Sequence, residues 1–209
     1  MVMGTSRNRH AHREKTPLSD AEIRPALRTQ ILVDYRDEQD NVLIEELGLC
    51  RGQVRVDMAL VNGHIHGFEI KSDRDSLKRL SGQAEIYNKV FDHMTMVVGK
   101  RHMDGVLESL PPWWGVLQVV QGARGIRFKP RRKGRKNPGR DSRTLVELLW
   151  LDDAITLLEQ RNAARGARGK PRRVVWDRVC ECYTLDEIAE NVRERLKTRA
   201  RHQDLPQLS

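Results

Sequence analysis

Residues 54–71 read VRVDMALVNGHIHGFEIK, and no other stretch constrains the fold as sharply. Two alternating runs, 54–61 and 65–71, flank Asn62-Gly63, the pattern of a β-hairpin. Three charges, Asp57, Glu69 and Lys71, sit where a half-buried strand favours none. Glu69 and Lys71 are two apart and share one face of their strand, while Phe68 and Ile70 point the other way, into a core. A two-residue turn at Asn62-Gly63 would pair Asp57 with Phe68 and mix the faces. A three-residue loop, Asn62-Gly63-His64, pairs Asp57 with Glu69, Met58 with Phe68 and Val56 with Ile70. The acids then fall on one face and the large apolar residues on the other. A slip of one residue undoes that separation, so the second register is predicted.

Two carboxylates meeting across adjacent strands repel unless positive charge lies between them. A divalent metal is the usual answer, since hard cations take oxygen ligands. Lys71 beside them would hold and polarise a water or a phosphate oxygen. The set of Asp57 followed by Glu69-Ile70-Lys71 resembles the PD-(D/E)XK nuclease superfamily, with Val56 where that superfamily has a proline. Further on, Gln83 and Tyr87 are four apart and stack on one helix face. Gln-x-x-x-Tyr after the E-x-K strand is similar to the helix motif of RecB-type nucleases. The strings E-I-K-S-D and R-L-x-x-Q-x-x-x-Y are also similar to small stand-alone bacterial and phage proteins of this class.

The resemblance spans residues 17–128 and implies an α/β chain: a restriction-endonuclease-like α/β/α core with a mixed central sheet. It further implies a Mg²⁺- or Mn²⁺-dependent enzyme hydrolysing phosphodiester bonds, with DNA as the first-choice substrate. Asp57 and Glu69 would ligate the metal with the Ile70 carbonyl beside them. Glu46 would complete the acidic shell, with Glu45 as the second choice; both read equally as solvated edge charges. Lys71 would orient the attacking water, and Gln83 and Tyr87 would position the active-site end. The alternative is a nuclease-fold protein without turnover that binds nucleic acid or supports an assembly.

Charge supports a polyanionic partner in either case. The net charge is +9 and the pI near 9.8, which favours nucleic acid over an anionic membrane. Residues 129–143, KPRRKGRKNPGRDSR, are read as a flexible basic loop whose Arg131, Arg132, Lys133, Arg135 and Lys136 hold phosphates. A second basic linker is read at 161–173 and a mobile basic tail at 1–16. The three cysteines, Cys50, Cys180 and Cys182, form no disulfide framework and suggest a reducing cytoplasm. No apolar signal stretch or membrane span is expected. The oligomeric state stays open, a homodimer included.

The remaining elements follow from local pattern. Ser19-Asp20-Ala21-Glu22 is a capping box, and Pro25 suggests a second helix starting there. Residues 42–49 read as a strand. Ser72 to Asp75 reads as the start of a helix reaching about Phe91. Residues 95–99, 116–120 and 126–128 read as strands, with a helix at 103–110. Trp113-Trp114 reads as a lid over the sheet edge rather than a base-stacking platform. One amphipathic helix is expected over 144–160 and helical structure over 174–197, together a C-terminal appendage at 144–209. His64-x-His66 lacks a third zinc ligand and reads as a pair of turn histidines.

Overall fold

The structure, a computed structural model, describes residues 17–37 and 40–203. The basic tail expected at 1–16 lies outside these residues. The fold is mixed α/β around a six-stranded mixed sheet in the sequential order β1 to β6. The strands are β1 (Val42–Leu49), β2 (Val54–Val61), β3 (Ile65–Lys71), β4 (His93–Val98), β5 (Gly115–Gly122) and β6 (Gly125–Arg132). Strands β1, β2 and β3 form an antiparallel meander; β3, β4 and β5 run parallel; β6 returns antiparallel.

Both faces of the sheet are covered, so the hairpin is not half-exposed as its alternation suggests. Helix α1 (Asp20–Asp34) packs Ile23, Leu27 and Ile31 on Met58, Leu60, Phe68, Ile70 and Val97. Ser19 caps it through the Glu22 carboxylate, which accepts from the Ser19 N–H at 2.8 Å and its hydroxyl at 2.7 Å. The break expected at Pro25 is absent. Proline removes one helical hydrogen bond, but it faces solvent while the buried stripe runs past it on the other side.

The opposite face carries helices α2 (Leu80–Val90) and α3 (Met103–Ser109), and α4 (Ser142–Leu145), α5 (Leu151–Gln160), α6 (Arg172–Cys182) and α7 (Leu185–Gln203). Their apolar residues share one core with Val56, Ala59, Val61, Ile65, Met96 and Val98. The C-terminal helices are therefore continuous with the main core. The single helix expected over 144–160 is broken at Leu149 and Trp150, where the backbone turns extended and Asp153 caps the next helix. Helix α2 begins later than its Ser72-Asp73-Arg74-Asp75 signal. Ser72 spends its N–H and hydroxyl on the Asp75 carboxylate, closing a local turn instead. Trp113 and Trp114 are buried, with the Trp114 indole N–H donating to Asn88 at 2.8 Å, so they pack in the core. No helix among the described residues is long and apolar enough to cross a membrane.

The segment read as a flexible basic loop is in part a strand, and its residues 133–141 form no helix or strand but are tied to the body of the fold. Residues 129–132 extend β6, and Asn137 is buried, donating to the carbonyls of Asn88 and Phe91 at 2.7 and 2.8 Å. A buried amide with both donors satisfied pins the backbone despite the surrounding charge.

Candidate active site

The β2–β3 ladder runs from Val61–Ile65 to Met58–Phe68 around a three-residue loop, the register read from polarity. Beyond Met58–Phe68 the strands part, and Asp57 bridges the gap. Its Oδ2 accepts from the Ile70 N–H at 2.7 Å, so a side chain takes the donor a ladder bond would have used. Val56 and Ile70, expected as a pair, enter opposite cores. Oδ1 of Asp57 pairs with Arg24 of α1 at 2.6 Å. Arg24 also reaches Glu46 at 2.8 Å. In β1, Glu46 lies opposite Asp57 but drops out of the ladder, with a left-handed φ of +55°. A non-glycine residue there is strained, and such strain clusters at functional sites. Glu45 turns outward to Arg28, so Glu46 is the acid that lines the site.

Glu69 is only 2% exposed. Its Oε1 receives Lys71 Nζ at 2.6 Å and Gln83 Nε2 at 3.1 Å, and its Oε2 lies 2.8 Å from the Tyr87 hydroxyl. That hydroxyl is also 2.8 Å from the Arg55 carbonyl. One hydroxyl proton faces two acceptors, so the cluster is one donor short. Burial first, and the negative charge of Asp57 second, raise the Glu69 pKa. Burial first, and then the adjacent Glu69 carboxylate, raise that of Tyr87. Gln83 Oε1 is buried without a partner among the described residues. Helix α2 delivers both side chains because Leu80, Ala84, Tyr87 and Val90 bury one face against the sheet, and Gln83 follows that stripe one turn before Tyr87.

These groups open into a cleft of ≈ 830 Å³ whose walls include Glu46, Asp57, Glu69, Lys71 and Gln83. Arg55, Lys78 and Arg79 line it too and were not singled out from the sequence, although Arg79 begins the R-L-x-x-Q string. Arg24 was also missed: a contact spanning 33 residues leaves no spacing signal. The basic set at 131–136 lies elsewhere. Glu69, Met96, Val116 and Arg132 form one row across β3 to β6, which puts Arg132 three strands from Glu69. Arg131 is spent on the Gln118 side chain, and Arg132 on the carbonyls of Trp114 and Pro111. Lys133, Arg135 and Lys136 are exposed beyond that row.

The donor set suits a hard cation. It offers two carboxylates, the adjacent Ile70 carbonyl and the unpartnered Gln83 oxygen, all oxygen ligands, around an acid that burial makes costly to ionise. Mg²⁺ commonly uses only one or two carboxylates and keeps several waters. No group of three His, Cys, Asp or Glu residues stands ready to hold a metal among the described residues; Glu46 is turned to Arg24 and Arg55. The histidines gather at the other end of β3. His64 and His66 have ring centroids 5.4 and 5.7 Å from that of His93. His66 Nε2 is 2.8 Å from the Thr95 hydroxyl, and its Nδ1 faces the Tyr35 hydroxyl, so it is occupied.

The family model for Bacteriophage P4 protein cII matches residues 14–207. The chain belongs to this family. Against Protein cII of Enterobacteria phage P4 it is 36% identical over 96 residues, which cover 46% of this chain and 36% of that protein. The match thus spans about a third of the relative's length. Among solved structures, a protein of unknown function from Silicibacter pomeroyi aligns over 72% of this chain and 90% of its own, at 22% identity and a TM-score of 0.37. That likeness is too loose to carry an argument. The family name states no activity, so function in this P4 cII family member has to be argued from the cleft.

Proposed function

We propose that this protein is a divalent-metal-dependent nuclease of the restriction-endonuclease-like class, hydrolysing phosphodiester bonds in DNA. The observation that carries the reading is the convergence of Asp57, Lys71, Gln83 and Tyr87 on the buried Glu69 at one end of an open, basic-rimmed cleft. The sheet supports it: a meander followed by parallel strands, with helices on both faces, is the arrangement the superfamily resemblance implies. The cation would be held by Asp57, Glu69 and the Ile70 carbonyl. When bound, it would lower the pKa of a coordinated water and draw charge from a phosphate oxygen.

The protein's own groups do the rest. Arg24 and the Ile70 N–H hold the Asp57 carboxylate in place. Gln83 and Tyr87 fix the orientation of Glu69. Lys71, restrained by Glu69, presents an ammonium to the attacking water and offsets the charge that builds on the phosphoryl oxygens. Arg55, Lys78 and Arg79 hold the backbone of the substrate by phosphate contacts, which position without reading sequence.

One observation favours a second reading, a nucleic-acid-binding module without turnover. Arg24 and Lys71 already neutralise Asp57 and Glu69, so the acids can be held with no metal at all. Cleavage of circular and linear, single- and double-stranded DNA, with Mg²⁺ or Mn²⁺ and with chelator, separates the two. The nuclease reading expects cleavage that chelator stops. Binding without cleavage under every condition selects the module.

A further inference from the structure

A second groove, of ≈ 290 Å³, lies on the other side of the β1–β2 connection. Glu46 and residues 52–54 line the cleft, whereas Leu47, Gly48 and Arg51 line the groove, so one short stretch of chain walls both. Cys50, Arg51 and Gly52 all take left-handed backbone, φ +47°, +57° and +85°, which turns that wall sharply. Two of the three are not glycine, so the turn is held at a conformational cost.

The groove is basic and aromatic. Trp150 is 63% exposed, the most exposed large hydrophobic side chain among the described residues, and Arg199 sits over its ring at 4.7 Å from the centroid. Arg51 and Arg172 line the groove and pair with no carboxylate among the described residues. Arg199 donates to backbone carbonyls of Leu148 and Arg195 rather than to an acid. The one acid of the lining, Glu147, is already paired with Arg143 at 2.8 Å. The floor includes Trp176, 3% exposed, whose indole N–H is buried without an acceptor.

We infer that this groove binds a single strand of nucleic acid running on from the cleft. A base stacks on the Trp150 ring, and Arg51 and Arg172 hold neighbouring phosphates. Exposed aromatics interleaved with arginine are how single strands are held without sequence preference. A duplex cannot use the ring, because its bases are stacked on one another. The inference rests on reading the cleft as a nucleic-acid site, and it extends that site past the reacting phosphate.

The test is binding of fluorescein-labelled oligo-dT to the full chain in chelator, followed by anisotropy and by quenching of tryptophan emission. Wild type binds and is quenched. Trp150→Ala, a surface change checked for fold by circular dichroism, weakens binding about tenfold, the size of one lost base stack. Trp150→Phe restores most of the affinity, since stacking needs a ring. The pair Arg51→Gln and Arg172→Gln lowers the slope of log affinity against log salt by about 1.4, at about 0.7 per phosphate on a single strand. Wild type that fails to bind oligo-dT overturns the inference, as does equal binding by wild type and Trp150→Ala. Cleavage by wild type and its loss in Asp57→Ala are scored separately. A groove that fails while Asp57-dependent cleavage stands refutes the groove alone, and the reverse refutes the nuclease alone.

Discussion

Replacing His66 by glutamine should flatten the acid side of the stability profile. His66 lies between β2 and β4 with Phe68 stacked on it at 4.2 Å and Thr95 on its Nε2. Burial first, then the neighbouring His93 and His64, lower its pKa to about 3. In the unfolded chain it returns to about 6.5. Between those values the unfolded chain holds a proton the folded one does not. The stability His66 contributes is thus complete above pH 6.5 and is lost as pH falls toward 3. From pH 7 to pH 5 about 1.5 units of that window are crossed, at about 1.4 kcal/mol each, giving about 2 kcal/mol at most for a residue still partly accessible. Guanidinium denaturation of both proteins at pH 7 and pH 5 measures it. Wild type should lose about 2 kcal/mol more than His66→Gln over that interval. Parallel losses would show that His66 is not held neutral by its surroundings.

Glu69→Gln should raise the melting temperature of the metal-free protein at pH 7. The raised carboxyl pKa means that ionising Glu69 costs stability as pH climbs through and above its unfolded value, so the gain should shrink at about pH 3, below the unfolded value, where Glu69 is largely protonated in both states; an equal gain at both pH values contradicts this. Lys71→Ala should lower kcat by a factor equivalent to about 2.7–4 kcal/mol, the loss of one oxyanion-type donor. Gln83→Ala should cost less, because it orients Glu69 rather than supplying charge; single-turnover kinetics rank the two. Neutralising Lys78 and Arg79 together should weaken substrate affinity more than neutralising Lys133, Arg135 and Lys136. Binding titrations across salt concentrations decide which set faces the substrate.

The hairpin was legible because two apolar-rich runs flank Asn62-Gly63 and a three-residue loop sets Met58 against Phe68, apart from the acids. Gln83 and Tyr87 were legible because four residues is a full helical turn. Arg24 was not, since the pairing that brings it to Asp57 is made by packing of α1 on the sheet. The basic run at 129–143 misled for a different reason. Its charge suggested a solvated loop, yet β5 offers an open edge that residues 125–132 complete, and the guanidinium of Arg132 is absorbed by internal carbonyls. Charge density reports composition, not where side chains end. The Trp113-Trp114 pair, read as a lid over the sheet edge, instead fills the core beneath the helices, which only the packing of those helices reveals. Trp150 carried no signal inside an apolar run, because the helix break that exposes it depends on local capping by Asp153.

The central claim is that the carboxylates around Glu69 hold a cation for phosphodiester hydrolysis. It is tested most directly by comparing wild type with Asp57→Ala in Mg²⁺ on plasmid and single-stranded DNA, from matched preparations. Asp57 lies at the strand parting, where its loss removes ligand charge and also the acceptor of the Ile70 N–H and the partner of Arg24, so the fold of the variant is checked by circular dichroism alongside the assay. Wild type should cleave, and Asp57→Ala should fold, bind DNA and leave it intact. Equal cleavage by both proteins, or none by wild type in Mg²⁺ or Mn²⁺, would contradict the account.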